Sequence, residues 1–556
     1  MGPVVTEHLS NRSQSNEEEP GTLLCQIDGV VSNRLGIFGY GWALDRAGSI
    51  VRGTLRLHFK NGRVNSTHVM LGRGREDVAE VFPQYPQASS SGLMFFAGWG
   101  DERPETVDLA FQTQDGRTLT AAVALYGSSF QEEDEPWLPA ELGRRYLAKQ
   151  ALRYLRQGKI RELISTVRRR EQPPRPQPAP EEIALVSRLM GHRCRLVIDH
   201  NMGGGANIYR ERLVSGWLAD GDSIILLSFR VDTMTAIVEV RDADGVLKQT
   251  LKRVEMLAAA LHSINLVEIF FNCAVSFSHA VGIQRLLLDL KRQSGATLVV
   301  AIHEYFVICP SPFLLDKGGT YCGVPSISQC ESCLPQHEDG FVSLTGERSI
   351  KHWRQMWGEV LAIADEVRCF SQSSKRLLER AYPGIAKHAT LRPHDVEPLR
   401  AVRRTRSPDS TLTIGVIGFI SHHKGATVVS ELADAIAKAQ ADVRIVVFGS
   451  LDACSPSNVI LQTGPYTRYD LPDLMEQYGV NLALLPSICP ETFSFVAHEV
   501  ISMGLPLICL DLGAQADLAR SSPIGRVSPR QDGPGLLQEL MAFDHDLYLL
   551  NSKVPS

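Results

Sequence analysis

Long apolar runs are missing from this chain. None approaches the roughly 18 residues that a membrane-spanning helix needs. The first residues, Met1-Gly-Pro-Val-Val-Thr-Glu-His8, carry neither a basic leader nor an apolar core of the secretory kind, so no export signal is expected. Charge of one sign is also scarce. With 57 Lys+Arg against 62 Asp+Glu the net charge is -5, ordinary for a soluble globular protein, and no nucleic-acid partner is expected. A disulfide framework is not visible either. Of 11 cysteines, four lie between Cys309 and Cys333, and Cys194, Cys273, Cys369 and Cys509 sit in apolar runs. That pattern fits reduced thiols plus one metal cluster in a cytoplasmic protein.

At 556 residues the chain should hold two to four domains, at roughly 100–200 residues each. Residues 1–20 are polar and acidic and read as a disordered tail. Over 21–128 short alternating runs appear, such as Leu23-Leu-Cys-Gln-Ile27, Gly53-Thr-Leu-Arg-Leu-His-Phe59, Thr106-Val-Asp-Leu-Ala-Phe111 and Thr118-Leu-Thr-Ala-Ala-Val-Ala124. Turn signals separate them, which predicts an all-β sandwich in which Trp42 is a buried structural residue. Residues 129–182 follow, with a basic amphipathic helix over 139–170 that could touch anionic lipid, then a Pro-rich linker. From 183 to 400 and again from 401 to 556 strands alternate with helices. This predicts two doubly wound α/β domains with their ligand edges at the strand C-termini.

The chemistry-bearing residues fall on those edges. Gly203, Gly204 and Gly205 follow an apolar strand and lead into a helix. They do not match G-x-G-x-x-G, but they allow a ligand or the opposite domain to come close. His303 ends a later strand. Lys424 lies in a strand-to-helix turn with Gly418 before it and Gly425 after it, where a lysine can meet a diphosphate. Gly449 ends the next strand. The stretch Pro486 to Pro506 leaves a buried strand, presents Glu491 in a loop, and starts a helix after Ser494 that carries Glu499. A strand end, a turn and a helix N-terminus together favour an anion, and the two carboxylates suit sugar or ribose hydroxyls. Cys309, Cys322, Cys330 and Cys333 have the spacing of a closed, structural zinc site, with His337 as a spare ligand.

Together Gly203, Gly204 and Gly205, His303, Lys424-Gly425 and the E-x7-E pair Glu491 and Glu499 resemble retaining, GT-B-fold glycosyltransferases of family 4, over about residues 190 to 540. The four-cysteine insertion is similar to one in bacterial members that build surface polysaccharides. Where the family usually has an arginine before the lysine, this chain has His422-His423. The resemblance implies a UDP-, GDP- or dTDP-sugar held mainly by the second domain. Lys424 would meet the diphosphate with amides of Thr492, Phe493, Ser494 and Phe495, Glu499 the ribose, Glu491 and His303 the sugar, and Tyr466 the base. His303, Glu491 and Lys424 are the expected catalytic residues. The acceptor would be a glycan or lipid-linked glycan at the inner face of the membrane, and no catalytic metal is expected. The alternatives are a non-catalytic carbohydrate-binding scaffold, or a phosphorylase or epimerase on the same fold.

Overall fold

The computed structural model describes residues 23–100, 102–125, 187–251, 254, 256–385, 388–403, 410–452 and 458–552. The expected tail (1–20) and the basic helix and linker (129–182) lie outside them. Among the described residues, no helix is long and apolar enough to cross a membrane.

The first region is all β: β1 (Leu23–Asn33), β2 (Gly36–Asp45), β3 (Ile50–His58), β4 (Val64–Arg73), β5 (Gly92–Gly98), β6 (Thr106–Thr113) and β7 (Thr118–Val123). They pair antiparallel in the order β1-β2-β5-β4-β3-β6-β7, as one continuous sheet. Val30, Ile37, Leu55, Val69, Phe95, Leu109 and Val123, one from each strand, share a single core. The sheet therefore curls around that core. Strand β2 was hidden in the sequence by its glycines. At Gly39 a Cβ would stand 2.3 Å from the Phe95 ring, so close packing of the neighbouring strand explains the missing side chain. Trp42 is buried with its ring 5.6 Å from that of Phe82, a packing role.

The second region carries β8 (Arg193–Ile198), β9 (Ser223–Arg230), β10 (Thr235–Asp242), β11 (Gly245–Leu251), β12 (Asn265–Phe271), β13 (Thr297–Ala301), β14 (Glu366–Cys369) and β15 (Ala389–Leu391). The order is β11-β10-β9-β8-β12-β13-β14-β15. From β9 through β15 the pairs are parallel, whereas β10 and β11 add two antiparallel hairpins at one edge. That edge departs from the all-parallel expectation. Its turn, Asp242-Ala-Asp-Gly245 with Gly245 at φ 112°, is a hairpin signal inside a region otherwise read as strand–helix alternation. In β8, Leu196 and Ile198 join one core and Val197 the other, so both faces of the sheet are covered.

The third region is parallel throughout: β16 (Leu412–Ile420), β17 (Val443–Leu451), β18 (Ile460–Gln462), β19 (Leu482–Leu485), β20 (Leu507–Leu510) and β21 (Gly525–Ser528), in the order β18-β17-β16-β19-β20-β21. Ile445 and Val447 enter one core while Val446 and Phe448 enter the other. The helix expected after Lys424 spans Ala426–Ala439. The β region rests on the second region. Asn33 Nδ2 donates to Met234 O (2.8 Å), Ser278 Oγ to Leu35 O (2.6 Å) and His68 N to Glu338 O (2.7 Å).

Candidate functional site

After β19 the chain turns through Pro486 and Pro490, and Glu491 emerges in the loop ahead of helix Phe495–Ser502. Lys424, from the turn after β16, places Nζ 2.6 Å from Glu491 Oε1, and Ser487 Oγ donates to the same oxygen at 2.9 Å. The loop is clamped from behind: Glu491 N donates to Gln515 Oε1 (3.1 Å), and Ala514 N to Glu491 O (2.9 Å). Two glycines make this approach possible. At Gly425 (φ 91°) a Cβ would lie 2.1 Å from Pro486 O, and at Gly513 (φ 62°) one would lie 2.4 Å from Glu491 N. Burial alone would raise the Glu491 carboxyl, but the Lys424 charge outweighs it and holds the group below its usual range. Burial likewise disfavours the Lys424 charge, and Glu491 more than restores it. Both groups are charged, and they neutralise each other at the strand ends.

The second region meets this loop directly. Thr492 Oγ1 donates to the main-chain oxygen of His303 at 2.7 Å. Opposite Gly205, which opens helix Gly205–Ala219, lies the Phe495 ring; a Cβ on that glycine would stand 2.6 Å from it. The three glycines therefore divide the work. Gly205 admits the opposite lobe, while Gly203 and Gly204 form the turn into the helix, Gly204 at its N-cap, with nothing within 4 Å of a Cβ on either. His303 is buried and stacked at 4.3 Å on Phe370 and 5.4 Å on His394, and its Nε2 has no hydrogen-bond partner among the described residues. Burial, reinforced by His394, holds His303 neutral, well below the usual histidine range. It is no satisfied core histidine.

His394, which the sequence did not single out, sits in the segment after β15 and joins the two lobes. It stacks on Phe370 at 4.1 Å and reaches Phe493 at 4.8 Å and Phe495 at 4.9 Å. Burial, with Arg212 and His498 nearby, lowers its pKa from 6.5 to about 4. A lowered histidine pKa means that the unfolded chain takes up the proton first. The stability it contributes is complete above the unfolded value of 6.5 and is lost as pH falls through about 4. The thermal midpoint should accordingly drop across this window, and His394→Phe should make that drop shallower by about one proton's worth of slope. An identical pH slope in the variant would contradict this.

Glu499 lies one turn into helix Phe495–Ser502, buried, and accepts from Arg468 Nε at 2.7 Å. Arg468 was missed in the sequence. Its only signal was the Thr467…Asp470 capping box that starts the turn carrying it. Tyr466 is half-buried beside this pair, and burial followed by the Glu499 charge pushes its hydroxyl up to about 12. Ser494 stands at the position before the helix as expected, but its side chain makes no capping hydrogen bond. Gly418 and Gly449 are register partners in adjacent strands, at φ 112° and 130°, and a Cβ on Gly449 would lie 2.2 Å from Gly418 O. Close strand pairing accounts for Gly449, while at Gly418 a Cβ would meet nothing within 4 Å and only the positive φ favours glycine.

The insertion after His303 leans on the Lys424 turn: Phe313 stacks on His423 at 3.8 Å and 7°. Here His423 makes an aromatic contact with the other lobe. Cys309, Cys322, Cys330 and Cys333 are free thiols close enough to raise one another's pKa, burial being the larger cause. Lys317 N donates to Cys333 Sγ (3.3 Å), and Arg354 reaches Cys330 Sγ (3.9 Å). The donor set suits zinc, though no three of the four sulfurs lie within 4.8 Å of one another here. Among the described residues the group of three or more ligand atoms within 4.8 Å of one another is His200, Cys273 and Glu304, not the thiols. His337 cannot serve as the spare ligand. Its Nε2 faces Leu315 O (2.9 Å), and its Nδ1 accepts from Asp339 N (3.2 Å).

No family model matches the chain. It is 28% identical over 255 residues to a GDP-mannose-dependent alpha-mannosyltransferase of Mycobacterium tuberculosis (strain CDC 1551 / Oshkosh), covering 43% of this chain and 61% of that protein. Among solved structures it is similar to Anabaena HepE in complex with UDP-glucose (15% identity, 64% of this chain and 91% of that one, TM-score 0.38). It is also similar to a glycosyltransferase from Rickettsia africae ESF-5 (14% identity, 64% and 89%, TM-score 0.39). The chain thus spans about three-fifths of the length of its mannosyltransferase relative.

Proposed function

We propose that the protein is a glycosyltransferase that moves a sugar from a nucleotide-sugar donor. The observation that carries this is the Lys424–Glu491 pair, set at a strand end where the glycine loop and His303 of the facing lobe close upon it. Breaking the anomeric C–O bond puts negative charge on the departing diphosphate and positive charge on the ring. Lys424 and the free amides opening helix Phe495–Ser502 stabilise the first, and Glu491 turns toward the sugar once the diphosphate takes over Lys424. Glu499, aimed by Arg468, holds the ribose, and Tyr466 borders the base. His303, kept neutral, contacts the sugar. Lobe closure keeps water from the donor. The family-4 resemblance adds retention, a surface-polysaccharide or glycolipid acceptor, and work at the cytoplasmic membrane face.

The test is a panel of UDP-, GDP- and dTDP-sugars, with GDP-mannose as the first probe because the mannosyltransferase relative is named for it. At least one should raise the unfolding temperature and release its nucleoside diphosphate in the presence of protein. If none stabilises the protein, the reading fails.

The four cysteines are proposed to bind structural zinc, the loop drawing them together on metal binding. Elemental analysis should find about one zinc per chain, lost in a Cys330→Ser/Cys333→Ser variant. A zinc-free parent would refute it.

A further inference from the structure

Three neighbouring strands of the second region, β8, β12 and β13, deliver His200, Cys273 and Glu304 to one spot at their C-terminal ends. Cys273 Sγ donates to Glu304 Oε2 at 2.7 Å. Glu304 Oε1 accepts no hydrogen bond among the described residues and faces His200 Nε2 across 4.0 Å. The imidazole orientation is assigned by its other nitrogen: Nδ1 accepts from Met202 N at 3.1 Å, which leaves the proton on Nε2. A donor and an acceptor thus look at each other from too far to bond directly. One oxygen atom about 2.8 Å from each would satisfy both.

The spot belongs to the cleft. The His303 carbonyl that receives Thr492 is in the peptide joining His303 to Glu304, and the Glu304 side chain keeps 22% of its surface exposed. Asp199, beside His200, is by contrast fully committed to Asn207, Arg210 and the His200 amide. A metal suits the spacing but not the tautomer, since Nε2 offers a proton where an ion needs a lone pair.

We propose that His200 and Glu304 form a hydroxyl-binding pair on the acceptor side, His200 Nε2–H donating to the attacking oxygen and Glu304 Oε1 taking its proton. This rests on the glycosyltransferase reading above. As the acceptor O–C1 bond forms, the bond from C1 to the phosphate oxygen breaks. The electron pair leaves with the nucleoside diphosphate, and the acceptor proton ends on Glu304. Burial, helped by Asp199, raises this carboxyl against the opposing pull of His200, Cys273 and Lys424, which supports its working as a base.

The full chain with GDP-mannose or UDP-glucose as the donor probe, and water as the attacking hydroxyl, tests it. Glu304→Gln should slow diphosphate release about 10²–10⁴-fold and erase the acid limb of the pH profile, with donor Kd by calorimetry unchanged within about two-fold. Formate should restore part of the rate in Glu304→Ala, which a purely structural carboxylate would not allow. Release at the parental rate, weakened donor binding, or loss of a bound metal equivalent in Glu304→Gln would each overturn the pair. If the parent binds no nucleotide sugar, the broader reading fails first. A parent that binds, with a variant that turns over normally, removes the hydroxyl pair alone.

Discussion

Replacing Lys424 by alanine should reduce sugar transfer by about 10²–10³-fold, the usual consequence of removing one preorganised electrostatic stabiliser. In the free protein the same lysine holds Glu491, whose side chain is only 12% exposed, so its loss also leaves a carboxylate without its cation. Stability should fall by about 1–3 kcal/mol, below the full cost of breaking a buried pair, because the lysine side chain is 39% exposed and Ser487 still donates to Glu491. Adding Glu491→Gln separates the two roles. The double variant should regain most of the stability, since no unpaired charge remains, and should regain no transfer. Urea unfolding and donor turnover on the parent, Lys424→Ala, Glu491→Gln and the double variant would show it. A Lys424→Ala protein that stays unfolded even with Glu491→Gln would make the pair a structural device.

Gly425→Ala is expected to be more damaging to the fold than its size suggests. The residue sits at φ 91°, where a side chain costs about 1–3 kcal/mol in strain, and its Cβ would fall 2.1 Å from Pro486 O. That oxygen begins the loop of Glu491, and Ile488 N bonds His423 O at 3.1 Å, so relief by movement drags both charged residues. Strain and overpacking together predict a loss of about 2–6 kcal/mol. Gly384→Ala is the comparison: its φ of 98° carries the strain, but nothing lies within 4 Å of a Cβ there. The denaturation midpoints should rank parent, Gly384→Ala, Gly425→Ala, and only the last should weaken donor binding. Equal losses would show that the Pro486 contact yields freely.

The α/β regions were legible because their strands are continuous apolar runs and their helices follow short turns; helix Ala426–Ala439 opens directly after the expected Lys424-Gly425 turn. Glu491, Lys424 and His303 were legible as strand-end residues, and the structure brings the first two into one ion pair and the third against Thr492. Arg468 and His394 were not legible. Each acts through a partner far away in sequence, Glu499 and Phe370 respectively, and neither carries a local pattern beyond a turn. Strand β2 was obscured because its glycines answer to the Phe95 ring on another strand. The thiols show the converse. Their spacing in the sequence reads as a cluster, while in the described structure no three of the sulfurs lie within 4.8 Å of one another.

The contact between Gly205 and the Phe495 ring has a mechanical consequence. An aromatic edge meeting bare backbone is a hard surface against a hard surface, so if the proposed closure of the lobes occurs, this contact would give it a sharp stop. Glycine sets that end point at its deepest. A larger residue there should push the Phe495 ring away, and with it the Thr492 and His394 contacts that join the same two lobes.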